Sequence, residues 1–516
     1  MPSLIGDALR WHATYTPHKA AVIAPSGTLS YAALWSRTVR LVDGLVGLGV
    51  GSGDHIALML ANGAPYIELY HAAAVLGAAV VPLNFRFVPS EAEYVVTHSS
   101  ARVLVYDTAF RGTFEPVRER LAATGTKIIV VSDVDGPNDN EIAYETLLAS
   151  SNATDWPRTA DPEACYFQGY TSGTTGFPKG CVNPHRRFAD CLKRMGLVYD
   201  VSPVDVELVA APLFHEAPAL FALTQMFSGG TVVVTPDPSP ASVFRLIEQH
   251  RVSWTFMVPT MWASMVNSPD LGAADLSSLR MLISGGSPLQ THTKHALIER
   301  LPRAGLHEFY GATEMGLISN LRPEDQQRKV RSVGRPVPGI YVELRDEAGK
   351  RVPQGEIGEI HIGGSTLIRE YYLNPEATER ARGEDGFFTL GDMGRFDDEG
   401  YLHIVDRKKD MIISGGENIF PNDIEDVLYQ HPAVHMAAVV GAPDDRWGEV
   451  VIGVVVVKPG QTVNEIDLLA HCKSRLSSFK VPKRIDFRDQ LPLSSFGKIL
   501  RRDVRQDYWA GRDVQV

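Results

Sequence analysis

Cysteine is scarce in this chain: four in 516 residues, at Cys165, Cys181, Cys191 and Cys472, with no C-x-x-C spacing. That excludes a disulfide scaffold and gives no zinc-ribbon pattern, so the expectation is reduced thiols in a cytosolic protein. Positive charge is also in deficit. Fifty Lys and Arg against sixty-one Asp and Glu leave a net charge of −11, which argues against a nucleic-acid partner, a local basic patch aside. Long apolar runs are missing, since the longest nearly apolar stretch, 72–83, is too short to span a bilayer. Near the N-terminus, Asp7 and Arg10 fall where a signal peptide needs an apolar core. A soluble, cytoplasmic chain follows as the expectation, at most peripherally bound to a membrane and with no integral segment. Homodimerisation stays open.

What is present is a globular composition, 44% apolar and 22% charged, long enough for two or more domains. Repeats and low-complexity segments are absent. The first part alternates helical and strand-like patterns: a helix over 31–48, a buried strand HIALML, a helix opened by a capping box at Ser90 and Glu93, then strands VLVYD and IIVVSD. The alternation continues through LVAAPLF, a helix over 218–227, TVVVTP, WTFMVP and LRMLISGG. Such order with apolar strands predicts an α/β fold with parallel sheets covered on both faces. After about residue 330, PVPGIYVELRDEAGK and GEIGEIHIGG read as antiparallel strands with glycine turns. From Asp410 the pattern becomes helix (422–430), strand, strand, helix (465–477). The expected organisation is a large N-terminal domain, 1–407, of parallel-rich βαβ subdomains plus a β subdomain. A small mobile α+β domain, 408–516, follows through the charged stretch DRKKD.

One segment stands out chemically. YTSGTTGFPKG, residues 170–180, holds three glycines, four Ser/Thr hydroxyls and one lysine. Glycines between hydroxyl residues leave backbone N–H groups free to converge on an anion, and Lys179 adds a positive charge. This is phosphate-binding chemistry, but a Walker loop needs GxxxxGK followed by Ser or Thr, and that spacing is absent. On composition alone a flexible surface loop remains the competing reading.

The whole string resembles the signature loop of the adenylate-forming superfamily: acyl-CoA synthetases, aryl-CoA ligases, luciferases and peptide-synthetase adenylation domains. Further segments resemble that superfamily in the same order. They are YGATEMG (310–316), TLGDMGRFDDEGYLHIVDRKKDMIISGGENIFPNDIE (389–425) and PLSSFGKILRR (492–502). The likeness runs from about 10 to 505, and MIISGGENIFPNDIE is most similar to chlorobenzoate and fatty-acid CoA ligases.

The resemblance implies an enzyme that joins a carboxylic acid to coenzyme A at the expense of ATP, releasing AMP and pyrophosphate. A carboxylate is a poor acyl donor until AMP replaces its oxide leaving group, and an anionic acid must then meet an anionic nucleotide. Cations near the developing charge supply several kcal/mol of that stabilisation. By the same resemblance, Thr171, Ser172, Gly173, Thr174, Thr175, Gly176 and Lys179 clamp phosphates. Gly286, Ser287, Tyr310, Gly311 and Thr313 bind the nucleotide, with Tyr310 stacking on adenine. Glu314 and Thr171 hold Mg²⁺, Asp392 and Arg407 hold ribose, and Lys498 contacts both carboxylate and α-phosphate. Read in isolation, Glu314 is a helix-start carboxylate, DRKKD a solvated charge run and Lys498 a surface lysine.

His215, in PLFHEAP, matches a histidine that gates the acyl pocket; a core or capping histidine is the competing reading. Glu216 and Pro218 depart from the family, where small or apolar residues and glycine are usual. Further acyl-pocket candidates are Arg194, Met195, Glu216, Phe256, Met257, Ser284, Gly285 and Met315 to Ile318, and Arg194 could pair with a second carboxylate if it points inward. For coenzyme A the matching positions are Arg86, Gly415, Gly416, Trp447 and Phe479. Val481 stands where chlorobenzoate ligases carry a phosphate-binding arginine, with Lys480 or Lys483 as substitutes. Lys409 matches the hinge. The expected substrate is a medium-chain fatty or aryl acid. Two alternatives are an acyl-AMP ligase loading a carrier protein, disfavoured by the eighteen residues after Lys498, and a noncatalytic nucleotide-binding regulatory protein.

Overall fold

In the strand His55–Met59, neighbouring residues face different apolar bodies: Ile56 and Leu58 enter the central core, Ala57 and Met59 an outer one. Leu208 and Val209 divide in the same way in Val206–Val209. Strands apolar on both faces need cover on both, the condition under which parallel sheets form. The computed structural model describes residues 3–131, 137–138, 140–156, 160–171, 178–415, 417–444, 446–493 and 499–510.

Two large sheets result. One orders Glu370–Tyr371, Lys179–Pro184, Cys165–Thr171, Ala79–Pro82, His55–Met59, Val103–Asp107, Lys127–Val131 and Glu141–Ala143. It is parallel except at the Lys179–Pro184 and Glu370–Tyr371 edge. The other runs through Gly305–Ala312, Met281–Ser284, Trp254–Met257, Val206–Val209, Thr231–Val234 and Ala20–Ala24 in parallel, with antiparallel strands at both edges. The sheets share one core with the helices Ala64–Leu76 and Glu216–Phe227, which are apolar nearly all round because both of their sides are covered.

A four-stranded antiparallel sheet follows: Ile340–Arg345, Gly358–Gly364, Phe388–Phe396 and Leu402–Arg407. The last sheet contains Glu417–Ile419, Ile412–Ser414, Gly448–Val457 and Val434–Asp444, with Arg484–Phe487 beside Gly448–Val457. Pro421–Tyr429 and Glu465–Lys473 pack on one of its faces and Arg501–Trp509 on the other. The molecule is therefore the expected α/β fold, a large parallel-rich N-terminal part and a small α+β C-terminal part.

Some helix boundaries differ from the sequence expectation. The helix Pro89–His98 begins before Ser90; the Val88 N–H donates to Glu91 Oε2 at 3.0 Å. Pro89 decides this, because its fixed φ suits the first helical position and its missing N–H costs nothing there. No helix among the described residues is long and apolar enough to cross a membrane.

Candidate active site

Thr171, Gly286 and Glu314 lie at or just past the carboxyl ends of strands that run parallel to a neighbour, the place at which open α/β sheets bind ligands. Cys165–Thr171 and Lys179–Pro184 form an antiparallel pair whose last rung joins Thr171 to Lys179. The chain between them therefore leaves and returns at one point. Ser172, Gly173, Thr174, Thr175 and Gly176 lie outside the described residues, as do Gly416 and Lys498.

Around that rung the side chains converge on one carboxylate. Thr171 Oγ1 donates to Glu314 Oε1 at 3.1 Å, and the Tyr371 hydroxyl donates to the same oxygen at 3.0 Å. Lys179 Nζ stands 5.0 Å from the centroid of the Tyr371 ring. Glu314 is buried, and its backbone carbonyl accepts from the Ile368 N–H at 2.8 Å. A carboxylate beside a hydroxyl offers hard oxygen ligands that suit Mg²⁺, an ion that completes its shell with phosphate oxygens and water. Tyr371 carried no motif in the sequence. Its place comes from strand pairing, Tyr371 against Cys181.

A second cluster adjoins it. The Tyr310 hydroxyl donates to Asp392 Oδ2 at 2.5 Å and Arg407 Nε to Asp392 Oδ1 at 3.1 Å. Asp392 and Arg407 are cross-strand partners, so register alone brings them together. Burial, then the Asp392 carboxylate, push the Tyr310 phenol above its ordinary range, and it stays a donor. Gly311 leaves no space for a side chain, since a Cβ there would meet the Gly316 carbonyl oxygen at 2.5 Å. Thr313 directly precedes Glu314. Gly286, with φ +85°, and Ser287 follow the carboxyl end of Met281–Ser284.

The acyl-pocket candidates separate. Phe256 stacks on Phe221 at 4.9 Å and lies 5.7 Å from Phe309, whose ring fills the space over Gly285. Ser284 and Met315 are buried close by in sequence to these walls, whereas Met257 belongs to the outer apolar body. Phe309 and Phe221, unmarked by any motif, come from the strand and helix on either side. His215 precedes the helix Glu216–Phe227 and sits against Phe214, with ring centroids 4.0 Å apart. Burial, and after it the charge of Arg86, hold its imidazole well below the usual range, hence neutral. Glu216 is paired at 2.6 Å with Arg187, a buried partner that the sequence did not single out. Arg194 Nη2 donates to Ser365 Oγ at 3.1 Å and abuts Gly339.

On the small domain, the Gly415 N–H donates to the Trp447 carbonyl at 2.8 Å, and a Cβ at Gly415 would meet the indole at 2.6 Å. Trp447 and Phe479 are exposed. Lys480 Nζ is held by Asp423 at 2.7 Å. Lys409 lies in the short turn Lys408–Asp410 that follows the Asp392–Arg407 pair.

A strand-end carboxylate and hydroxyl, a glycine-rich segment followed by a lysine, and an aromatic–carboxylate–arginine cluster are the groups expected of an enzyme that activates carboxylates through a nucleotide. The chain belongs to the AMP-binding enzyme family: the model of that description matches residues 9–372, and that of the AMP-binding enzyme C-terminal domain matches 423–498. It is 37% identical to the feruloyl-CoA synthase of an Amycolatopsis species over 498 residues, 96% of this chain and 97% of that protein. It is 34% identical to the long-chain-fatty-acid–CoA ligase FadD13 of Mycobacterium tuberculosis, covering 98% and 99%. The fatty acid–[acyl-carrier-protein] ligase ScoC of Streptomyces coeruleorubidus is also 34% identical, covering 97% and 95%. The crystal structure of ATP-bound MatB from Rhodopseudomonas palustris aligns with a TM-score of 0.90 at 29% identity, over 98% and 99%. The chain is an AMP-forming acid–thiol ligase that uses ATP and coenzyme A and passes through an acyl-adenylate.

Proposed function

We propose that the acid is an aryl acid, with a medium-chain fatty acid as the second reading. The observation behind this is the aromatic wall of Phe221, Phe256 and Phe309 over Gly285, which suits a flat apolar group. The name of the feruloyl relative supports the first reading; that of FadD13, a long-chain-fatty-acid–CoA ligase, supports a fatty acid but not the medium chain length. Residue types alone do not rank chain lengths, because one methylene changes binding by only about 1 kcal/mol.

In the proposed first half-reaction an acid oxygen attacks the α-phosphorus and pyrophosphate leaves. Lys179 and the loop after Thr171 hold the β- and γ-phosphates, Tyr310 stacks on adenine, and Asp392 with Arg407 holds ribose. Glu314 and Thr171 hold Mg²⁺, which when bound neutralises phosphate charge. Lys498 bridges the reacting carboxylate and α-phosphate. In the second half-reaction the coenzyme A sulfur attacks the acyl carbon and AMP leaves. Residues 408–516 turn about Lys409 between the steps, which withdraws Lys498 and brings Gly415, Gly416, Trp447 and Phe479 to the acyl group, with Arg86 on a phosphate. Neutral His215 gates the pocket.

A panel of aryl and alkyl carboxylic acids, assayed for coenzyme A-dependent AMP release, tests this reading. Aryl acids are expected to give the highest kcat/KM. Pyrophosphate exchange that depends on acid but without coenzyme A-dependent release points to a carrier-protein acceptor instead. Absence of exchange with every acid points to a noncatalytic protein. Lys498→Ala is expected to lose adenylate formation by at least about 100-fold while still converting supplied acyl-adenylate to thioester. Intact adenylate formation overturns its assignment.

A further inference from the structure

Arg187 and Glu216 are both about 4% exposed at the side chain, and Arg187 Nη1 lies 2.6 Å from Glu216 Oε1. Removing two charges from water is costly, and an apolar pair of similar volume is often as stable. The guanidinium does more than neutralise Glu216. Its Nε donates to the Thr366 carbonyl at 2.6 Å, and its Nη2 makes a longer contact, 3.4 Å, with the Thr313 carbonyl. Thr313 directly precedes Glu314, and two residues after Thr366 the Ile368 N–H binds the Glu314 carbonyl. The three nitrogens of one planar group thus meet the helix that follows His215 and both backbone segments that frame Glu314.

The neighbouring backbone leaves this group its space. Gly316 has φ +68°, and a Cβ there would lie 2.9 Å from Cys191 Sγ and 3.4 Å from Arg187 Nη2. Lysine, a point charge on a flexible stem, has no fixed fork to reach three acceptors in different directions.

We infer that Arg187 is a positioning residue for the nucleotide site: it fixes the backbone on both sides of Glu314, and Glu216 is the counter-ion that lets it be buried there. This rests on the proposed role of Glu314 in holding Mg²⁺ with the nucleotide.

The test is isothermal titration of MgATP into the full-length protein, with thermal unfolding of the same samples. Arg187→Met leaves Glu216 buried without its partner and is expected to lower the melting temperature. Arg187→Met/Glu216→Leu removes both charges and is expected to unfold near the wild-type temperature, yet to bind MgATP about tenfold more weakly, because two carbonyls have lost their donor. Arg187→Lys is expected to weaken MgATP to a similar degree, with the KM for the acid unchanged. Wild-type MgATP affinity in the folded double variant overturns the inference. Glu314→Gln separates this from the site reading. If it binds MgATP normally the role of Glu314 fails, and if it binds weakly while the double variant does not, only the role of Arg187 fails.

Discussion

In the proposed acyl pocket, the place of the Phe309 ring depends on the absence of one carbon at Gly285. A Cβ at that position would lie 2.3 Å from Cε1 of Phe309, so Gly285→Ala must displace the ring, an overpacking cost of about 1–3 kcal/mol. The kcat/KM for the acid is expected to fall by about tenfold or more, with MgATP affinity unchanged in titration. Glu216 carries a pH signature. Burial raises its carboxyl from 4.5 to about 7, against the lowering pull of Arg187 and with a smaller push from Glu314. The folded state therefore holds this proton more tightly than the unfolded chain. Its contribution to stability is complete below pH 4.5 and is lost as pH rises through about 7. Urea denaturation between pH 5 and 8 should show Glu216→Gln losing less stability over that rise than the wild type, by a few kcal/mol. Glu216 was visible in the sequence as a departure from its family. Arg187 was not, because its significance comes from a helix that crosses to it from twenty-nine positions away.

At the scale of elements, a strand end and a helix start are joined through Asp406. Its carboxylate accepts from the Arg407 and Asn422 N–H groups at 2.8 and 2.9 Å and from Arg501 Nη1 at 2.8 Å. Asn422 opens the helix Pro421–Tyr429, so a residue of Leu402–Arg407 caps a helix of the next domain. Arg501 keeps Glu425 if Asp406 is removed. Asp406→Ala is expected to cost about 2 kcal/mol in urea denaturation, between the loss of a cap and the orphaning of a buried charge, and Asp406→Asn less. Most strands were legible because apolar runs between glycine and proline punctuate the chain. The sequence reading ran the last helix pattern to 477, but Glu465–Lys473 ends earlier, where the Ser474 N–H bonds back to Ala470. Cys165–Thr171 against Lys179–Pro184 was harder to foresee, because the residues between them read as a loop and conceal the pairing.

Across the whole molecule, the proposed nucleotide site draws on both large sheets and the antiparallel sheet: Thr171 and Lys179, Tyr310 and Glu314, Asp392 and Arg407. A ligand that bridges three sheets packed on one core binds only when all are assembled. MgATP at 100 times its Kd is expected to stabilise the protein by about 2.7 kcal/mol, a rise of about 2–3 °C in calorimetry for a chain of this length. In Asp392→Ala that rise should shrink to nearly nothing at the same nucleotide concentration, and an undiminished rise removes Asp392 from the site.

The sequence by itself determined the class of chemistry, because loop glycines, hydroxyls and single catalytic side chains act through local patterns that stay contiguous in the chain. It also determined the alternation of strands and helices, through hydrophobic period. Only the tertiary structure decided which carboxylate Tyr371 holds, which cation neutralises Glu216, and which ring stands over Gly285. Those contacts join residues tens of positions apart, and a one-residue change of strand register would turn Tyr371 and Phe309 to the opposite face.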